Sequence, residues 1–237
     1  MALYEPDPLA TGCASLDGIL GGGLRRGELC LVYGQSGTGK TSLAIQCAVR
    51  RARKGLKTIF IDSDNTFPLT RLEQITGREL PDVAHLLFVF KPHTIRKQSL
   101  LVFRLDNYNL STVALIVVDT VTTLYRAELA STENVFVQNM GLNWQLAYLR
   151  EVALRYNIPI LLTSQVRSVV QEDGEKIEPV ANRILTFWAQ RILRLEATST
   201  SRVKKASLEK DRDRLGDEAY CFYTIERNGF VDANQDR

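Results

Sequence analysis

Apolar positions in this chain fall into short continuous runs separated by stretches of helical periodicity. Glu28–Tyr33 (ELCLVY), Thr58–Asp62 (TIFID), Leu86–Phe90 (LLFVF), Val113–Val118 (VALIVV) and Ile160–Thr163 predict buried strands. Between the first two, Gly39–Lys54 sets Leu43, Ala44, Cys47 and Ala48 on one face of a helix. Leu69–Thr76 predicts a helix that Gly77 stops, and Ile95–Tyr108 a helix feeding the Val113 strand. From Glu133 to Tyr156, the residues Leu142, Leu146, Leu149, Ala153 and Tyr156 recur four, three, four and three apart, which predicts one long helix. Strands alternating with helices imply a mainly parallel sheet covered on both faces.

The tail follows a different pattern. Arg191–Leu195, Val203–Glu209 and Ala219–Glu226 are closely spaced strand-like runs, and Asn228-Gly229 is a turn signal. The expectation is an α/β fold whose parallel sheet carries an antiparallel C-terminal β extension. No linker divides residues 11–237, so they are read as one core domain, preceded by a short arm at 1–10.

Composition narrows the class. With 45% hydrophobic and 24% charged residues, the 237-residue chain can bury a sizeable core. No run approaches the ~18–20 apolar residues that span a bilayer, and the Met-Ala-Leu-Tyr-Glu-Pro start lacks the basic and apolar blocks of a signal peptide. Cys13, Cys30, Cys47 and Cys221 form no C-x-x-C pair and lie far from His85 and His93, which argues against a zinc site. Reduced thiols and a cytoplasmic location are expected. The net charge of +3 does not decide for or against nucleic acid, so the placement of charge must.

Gly34-Gln35-Ser36-Gly37-Thr38-Gly39-Lys40-Thr41 matches G-x-x-x-x-G-K-[ST] in full, after a predicted strand and before a predicted helix. The glycines let successive backbone N–H groups turn toward phosphates, where the positive end of the helix dipole adds to them. Ser42 continues the loop into the helix. Lys40 can reach the terminal phosphates, and the Thr41 hydroxyl is placed to ligate Mg²⁺. A second magnesium carboxylate is expected from Asp119, where the apolar strand Leu115–Val118 ends; capping of the following segment is its alternative role.

These residues sit in a wider pattern. The chain resembles the RecA-like recombinases: Thr11–Leu24 is similar to the family's segment leading into the first core strand, Ile61–Phe67 to the block carrying the catalytic acid, and Thr163–Val166 to the motif whose glutamine senses the terminal phosphate. The resemblance implies a RecA-like P-loop NTPase core binding ATP and Mg²⁺, with Asp64 and Gln165 as catalytic-site residues. It also implies that Arg71 stacks on adenine through its flat guanidinium. Lys210 and Arg212 would reach the nucleotide of a neighbouring subunit in an assembly joined through the ATP interface. Asp64 as a turn residue, Arg71 as a surface arginine, and Lys210-Asp211-Arg212 as a solvated loop are the alternatives.

Two departures shape the expected activity. The family's glutamate position holds Asp64, shorter by one methylene, and poorer general-base geometry can cost about 10²–10⁴ in rate. Slow hydrolysis or none is therefore expected. The pattern also begins within ten residues of the start, which implies a short paralogue without the recombinases' N-terminal helical domain. Ser164 stands where the family usually places asparagine and is given no role.

By the same resemblance two loops would contact DNA, one from Asp119 past Tyr125-Arg126 to Asn134, the other from Val166 to Asn182. Arg126 and Arg167 are the candidate cations, and the polar Gln171–Lys176 is read as a mobile loop. Mixed charge there predicts weak to moderate single-strand binding, with double-stranded DNA as a further ligand. Arg50, Arg51, Arg53, Lys54 and Lys57 form a basic cluster read as a solvated edge. Trp144 and Trp188 are read as packing anchors. The resulting expectation is a DNA-repair accessory protein that modulates a RadA-type recombinase; an active strand-exchange recombinase and a KaiC-like ATP-binding signalling protein are its rivals.

Overall fold

A nine-stranded sheet, parallel through its centre, organises the protein. The computed structural model describes residues 8–131, 134–171, 174–200, 202–211 and 219–233, with backbone alone over 169–171 and 174–176. The strands of the sheet are β1 (Leu29–Gly34), β2 (Lys57–Asp62), β3 (Leu87–Phe90), β4 (Val113–Asp119), β5 (Ile160–Ser164), β8 (Arg191–Ala197), β9 (Val203–Asp211), β10 (Ala219–Glu226) and β11 (Gly229–Asp232); β6 (Val166–Gln171) and β7 (Gly174–Pro179) form a separate antiparallel pair. The helices are α1 (Ala14–Ile19), α2 (Lys40–Ala52), α3 (Leu69–Thr76), α4 (Leu80–Ala84), α5 (Ile95–Phe103), α6 (Thr123–Ser131), α7 (Val135–Tyr156) and α8 (Asn182–Trp188). Every pairing from β8 through β1, β5, β4 and β2 to β3 is parallel, and β8 to β11 pair antiparallel.

Burial explains the apolar runs. Strands β1, β4 and β5 are buried at every position, as expected for central parallel strands covered on both faces. Alternate residues serve two cores. Cys30 and Val32 pack with Leu43, Ala44, Cys47 and Phe60 on the α2 side, and Leu29 and Leu31 pack with Leu142, Leu146 and Leu149 on the α7 side. Leu9, within the arm read from sequence, is buried and pairs in both directions with Leu24, so packing begins before Thr11.

The C-terminal strands return to α2. Glu226 pairs with Gly229 across the β10–β11 turn, whose Gly229 adopts φ +124°. Gln46 of α2 accepts from the Phe230 N–H at 2.5 Å and donates to the Thr11 and Phe230 carbonyls at 3.1 and 3.4 Å.

Several expectations need correction. Ile95–Tyr108 is not one helix: α5 ends at Phe103, and two 3₁₀ turns follow that bury Leu105 and Leu110. The Val166–Asn182 segment is the β6–β7 hairpin rather than an open loop, its strands closed by backbone pairing from Val166–Pro179 to Gln171–Gly174. Most of the first presumptive DNA loop is helix α6. Trp144 is 63% exposed, so it does not anchor the core, whereas Trp188 packs against the core and donates to Asn143 at 3.0 Å. The basic cluster is partly internal: Arg51 is buried, and Arg53 pairs with Glu79 at 2.6 Å.

Candidate nucleotide-binding site

The carboxyl ends of β1, β2, β4 and β5 converge on one cleft, the usual ligand position on an open parallel sheet. Its volume is about 640 Å³, and its walls include Gly34, Ser36, Gly37, Gly39, Lys40, Thr41 and Ser42 from the phosphate loop. Asp64, Thr120, Gln165 and Ile225 face them. Gln35 and Thr38 complete the turn, with the Thr38 hydroxyl donating to the Gln35 carbonyl at 2.8 Å. Gly37 and Gly39 adopt φ +77° and +99°, backbone that only glycine enters without strain, and Gly39 caps α2. The N-terminus of a 13-residue helix thereby points at the cleft.

Lys40 is 9% exposed, and its Nζ donates to the Gly34 and Gln35 carbonyls at 2.8 and 2.9 Å. Burial lowers its pKa, while the nearby Asp119 and Asp64 carboxylates push it back up. Phosphate oxygens would oppose the desolvation in the same way.

Thr41 and Asp119 meet. The Thr41 hydroxyl donates to Asp119 Oδ2 at 2.8 Å, and the Thr163 hydroxyl donates to Oδ1. Burial raises the Asp119 pKa, and the two hydroxyls lower it. Hard oxygen donors on a buried carboxylate and a helix N-terminal threonine suit Mg²⁺, which takes one or two protein oxygens together with substrate phosphates. Among the described residues no cluster of three or more His, Cys, Asp or Glu could hold a metal alone.

The Ile61–Phe67 block divides its acids between two roles. Asp62 is buried and accepts from the Thr66 and Phe67 N–H groups at 3.3 and 2.8 Å, with Lys91 at 3.7 Å, so it holds the turn. Asp64 is left facing the cleft and accepts from the Thr120 hydroxyl at 3.5 Å. Gln165 accepts from Arg126 Nη1, which brings one DNA-side candidate to the cleft wall. Ser164 is buried and bonded to Thr122 at 3.1 Å and to the Gln165 carbonyl at 2.9 Å, a structural role.

Three other residues have partners of their own. Arg71 Nε donates to Ser42 Oγ at 3.0 Å, and its Nη1 donates to the Glu226 and Arg227 carbonyls at 2.9 and 3.2 Å. Burial lowers its pKa. Arg167 pairs with Glu178 across the β6–β7 hairpin, through Nε at 2.9 Å. Lys210 lies on β9 rather than in a loop, and its ammonium donates to the Thr186 and Ala189 carbonyls, both at 2.7 Å. Arg212 lies outside the described residues.

Sequence reasoning missed Ile225, Thr120 and Thr163. No motif marks Ile225, which only the sheet order brings to the cleft, whereas Thr120 follows Asp119 directly and Thr163, the first residue of the Thr163–Val166 block, acts behind the cleft wall by bonding Asp119.

The family model for Rad51 matches residues 8–233. The chain belongs to the Rad51 family. Membership implies a nucleotide at the phosphate loop. The chain is 30% identical over 223 residues to the DNA repair and recombination protein RadB of Methanococcoides burtonii, covering 94% of this chain and 97% of that protein. It is 31% identical over 206 residues to RadB of Methanothermobacter thermautotrophicus, covering 85% and 87%. A crystal structure of the RadB recombinase superposes with TM-score 0.80 at 29% identity, over 96% of this chain and all of that one. The α/β fold with its antiparallel C-terminal strands is the fold of that Rad51-family structure. No helix among the described residues is long and apolar enough to cross a membrane.

Proposed function

We propose that the protein binds ATP·Mg²⁺ and DNA, hydrolyses ATP slowly or not at all, and assists a RadA-type recombinase in homologous recombination and repair. The observation that carries this reading is the pairing of a complete phosphate loop with a short acid: Lys40 and Thr41, the latter bonded to the buried Asp119, line one side of the cleft, and Asp64 faces them. The loop amides and the α2 N-terminus would hold the phosphates, and Lys40 would supply charge at the terminal ones. Bound magnesium would neutralise developing phosphate charge. Asp64 would have to align water from one methylene further back than a glutamate, which favours an ATP-bound switch over a motor.

The DNA role rests on the similarity to proteins named for DNA repair and recombination. Arg126 and Arg167 are its candidate cations. Each is engaged within the chain, with Gln165 and Glu178, so DNA phosphates would compete for them. Because Gln165 also lines the cleft, nucleotide and DNA would share that side chain. The trans-acting role of Lys210 and Arg212 belongs to an assembled state in which Lys210 leaves the Thr186 and Ala189 carbonyls.

Equilibrium binding of a fluorescent ATP analogue and of labelled single-stranded DNA tests the proposal. Lys40→Ala should abolish nucleotide binding and with it any ATP-dependent change in DNA affinity. Normal ATP binding by that variant would remove the phosphate-loop assignment. DNA affinity that is absent at low salt would remove the DNA role.

A further inference from the structure

Tyr223 is a buried polar side chain that the phosphate-loop motif does not account for. It lies on β10, fully buried, and its hydroxyl donates to the backbone carbonyl of Thr38 at 2.8 Å. Thr38 is the residue before the last glycine of the phosphate loop. The Tyr223 ring is stacked on Phe230 of β11, with centroids 4.5 Å apart and planes within 13°. The same hairpin touches the next residue of the loop. A Cβ built on Gly39 would lie 2.5 Å from Ile225 Cδ1 and 2.8 Å from Phe230 Cζ. Two further ties fix the hairpin to α2: Gln46 on the Phe230 backbone, and Arg71 between Ser42 and the turn carbonyls.

Peptide geometry turns this contact into a functional statement. The Thr38–Gly39 peptide is trans, so its carbonyl and its N–H point in opposite directions within one plane. With the carbonyl held on the hairpin side by Tyr223, the Gly39 N–H is directed away from the hairpin. Gly39 itself lines the cleft. A glycine in the left-handed region has little intrinsic preference holding that plane, so an external restraint has something to do. Burial raises the phenol pKa, which keeps the hydroxyl a donor at any working pH.

We propose that Tyr223 is a positioning residue for nucleotide binding: its hydroxyl holds the Thr38 carbonyl so that the amide of the same peptide, the Gly39 N–H, is presented to the phosphates. The inference rests on the proposed ATP binding and deepens it, by making the C-terminal hairpin part of the phosphate site. The hairpin sits beyond β9 in the sheet, so no reading of the motif alone would include it.

Tyr223→Phe keeps the ring and its stack and removes the donor. Affinities for ATP, ADP and adenosine are measured at a temperature where the variant is fully folded, alongside its melting temperature. ATP and ADP should weaken about three- to tenfold, the range of one buried hydrogen bond, and adenosine, which has no phosphates, should be unchanged. Tyr223→4-aminophenylalanine, which restores a donor, should return ATP affinity to within about twofold of wild type. If Tyr223→Phe fails to fold, Tyr223→4-methylphenylalanine, similar in size and without a donor, takes its place beside the 4-amino variant. A lowered melting temperature with unchanged ATP and ADP affinity would show a merely structural tyrosine and overturn the proposal. Equal weakening of adenosine would overturn it as well. Failure of the wild type to bind ATP at all would instead overturn the function on which the proposal rests.

Discussion

Gly39→Ala tests how tightly the C-terminal hairpin seats against the phosphate loop. Two costs combine. At φ +99° an alanine adopts a conformation unfavourable by about 1–2 kcal/mol. The new methyl would also meet Ile225 Cδ1 at 2.5 Å and the Phe230 ring at 2.8 Å. The isoleucine terminus can turn aside, but Phe230 is stacked on the buried Tyr223 and bonded through its backbone to Gln46, so it cannot retreat freely. Overpacking of this kind costs about 1–3 kcal/mol. The sum is about 2–5 kcal/mol, which lowers the melting temperature of a domain this size by about 4–20 °C. Gly37→Ala is the internal control: its φ is +77°, but nothing lies within 4 Å of its added Cβ, so only the conformational cost of about 1–2 kcal/mol applies. Chemical denaturation of both variants without nucleotide gives the comparison. If Gly39→Ala is no more costly than Gly37→Ala, the hairpin does not press on the loop, and the packing argument is wrong.

Other outcomes follow from the same structure. Gln46→Ala leaves the buried Phe230 N–H and the Thr11 carbonyl without their partner, and should destabilise by about 2–4 kcal/mol in urea unfolding; a change under 0.5 kcal/mol would contradict the assignment. The four thiols are buried, with Cys30 and Cys47 pushed up to about 12 and Cys221 to about 11 by desolvation, so Ellman's reagent at pH 8 should label them only after unfolding. For these groups the folded pKa lies above the unfolded one. Their contribution to stability is therefore intact below pH 9 and declines as the pH rises toward 12, which urea midpoints taken at successive pH values will show.

The legible part of the fold was the part governed by local rules. Continuous apolar runs marked β1, β2, β4 and β5, because strands covered on both faces keep polar residues mainly to their ends. Gly77 ended α3 where expected, at φ 58°. Asn228-Gly229 marked the last hairpin, whose Gly229 needs positive φ. The β6–β7 hairpin was not legible, since Gln171–Lys176 is polar and offers no apolar period to read. Trp144 misled because a large apolar residue on a periodic helix resembles a core position, yet it lies off the stripe of Leu142, Leu146 and Leu149.

In the site, the phosphate loop and Asp119 were visible because backbone geometry and metal chemistry demand those residue types at fixed spacing. Tyr223 and Ile225 come from β10, which only the sheet order brings beside the phosphate loop, and no local pattern encodes that order. Lys210 looked like part of a charged loop because Glu209, Asp211 and Asp213 surround it. Its stem instead lies on β9 and delivers the ammonium to the end of α8.

In the proposed function this Rad51-family member uses ATP as a bound switch, with Asp64 standing where a longer acid would activate water. Steady-state ATP hydrolysis with and without single-stranded DNA, on wild type and Asp64→Glu, tests it most directly. A nearly silent wild type with little DNA stimulation is expected, with a gain of about tenfold or more on substitution, part of the 10²–10⁴ that good general-base geometry contributes. A wild type that is already fast and strongly stimulated by DNA would rule out the switch and mark the protein as an active recombinase-type motor.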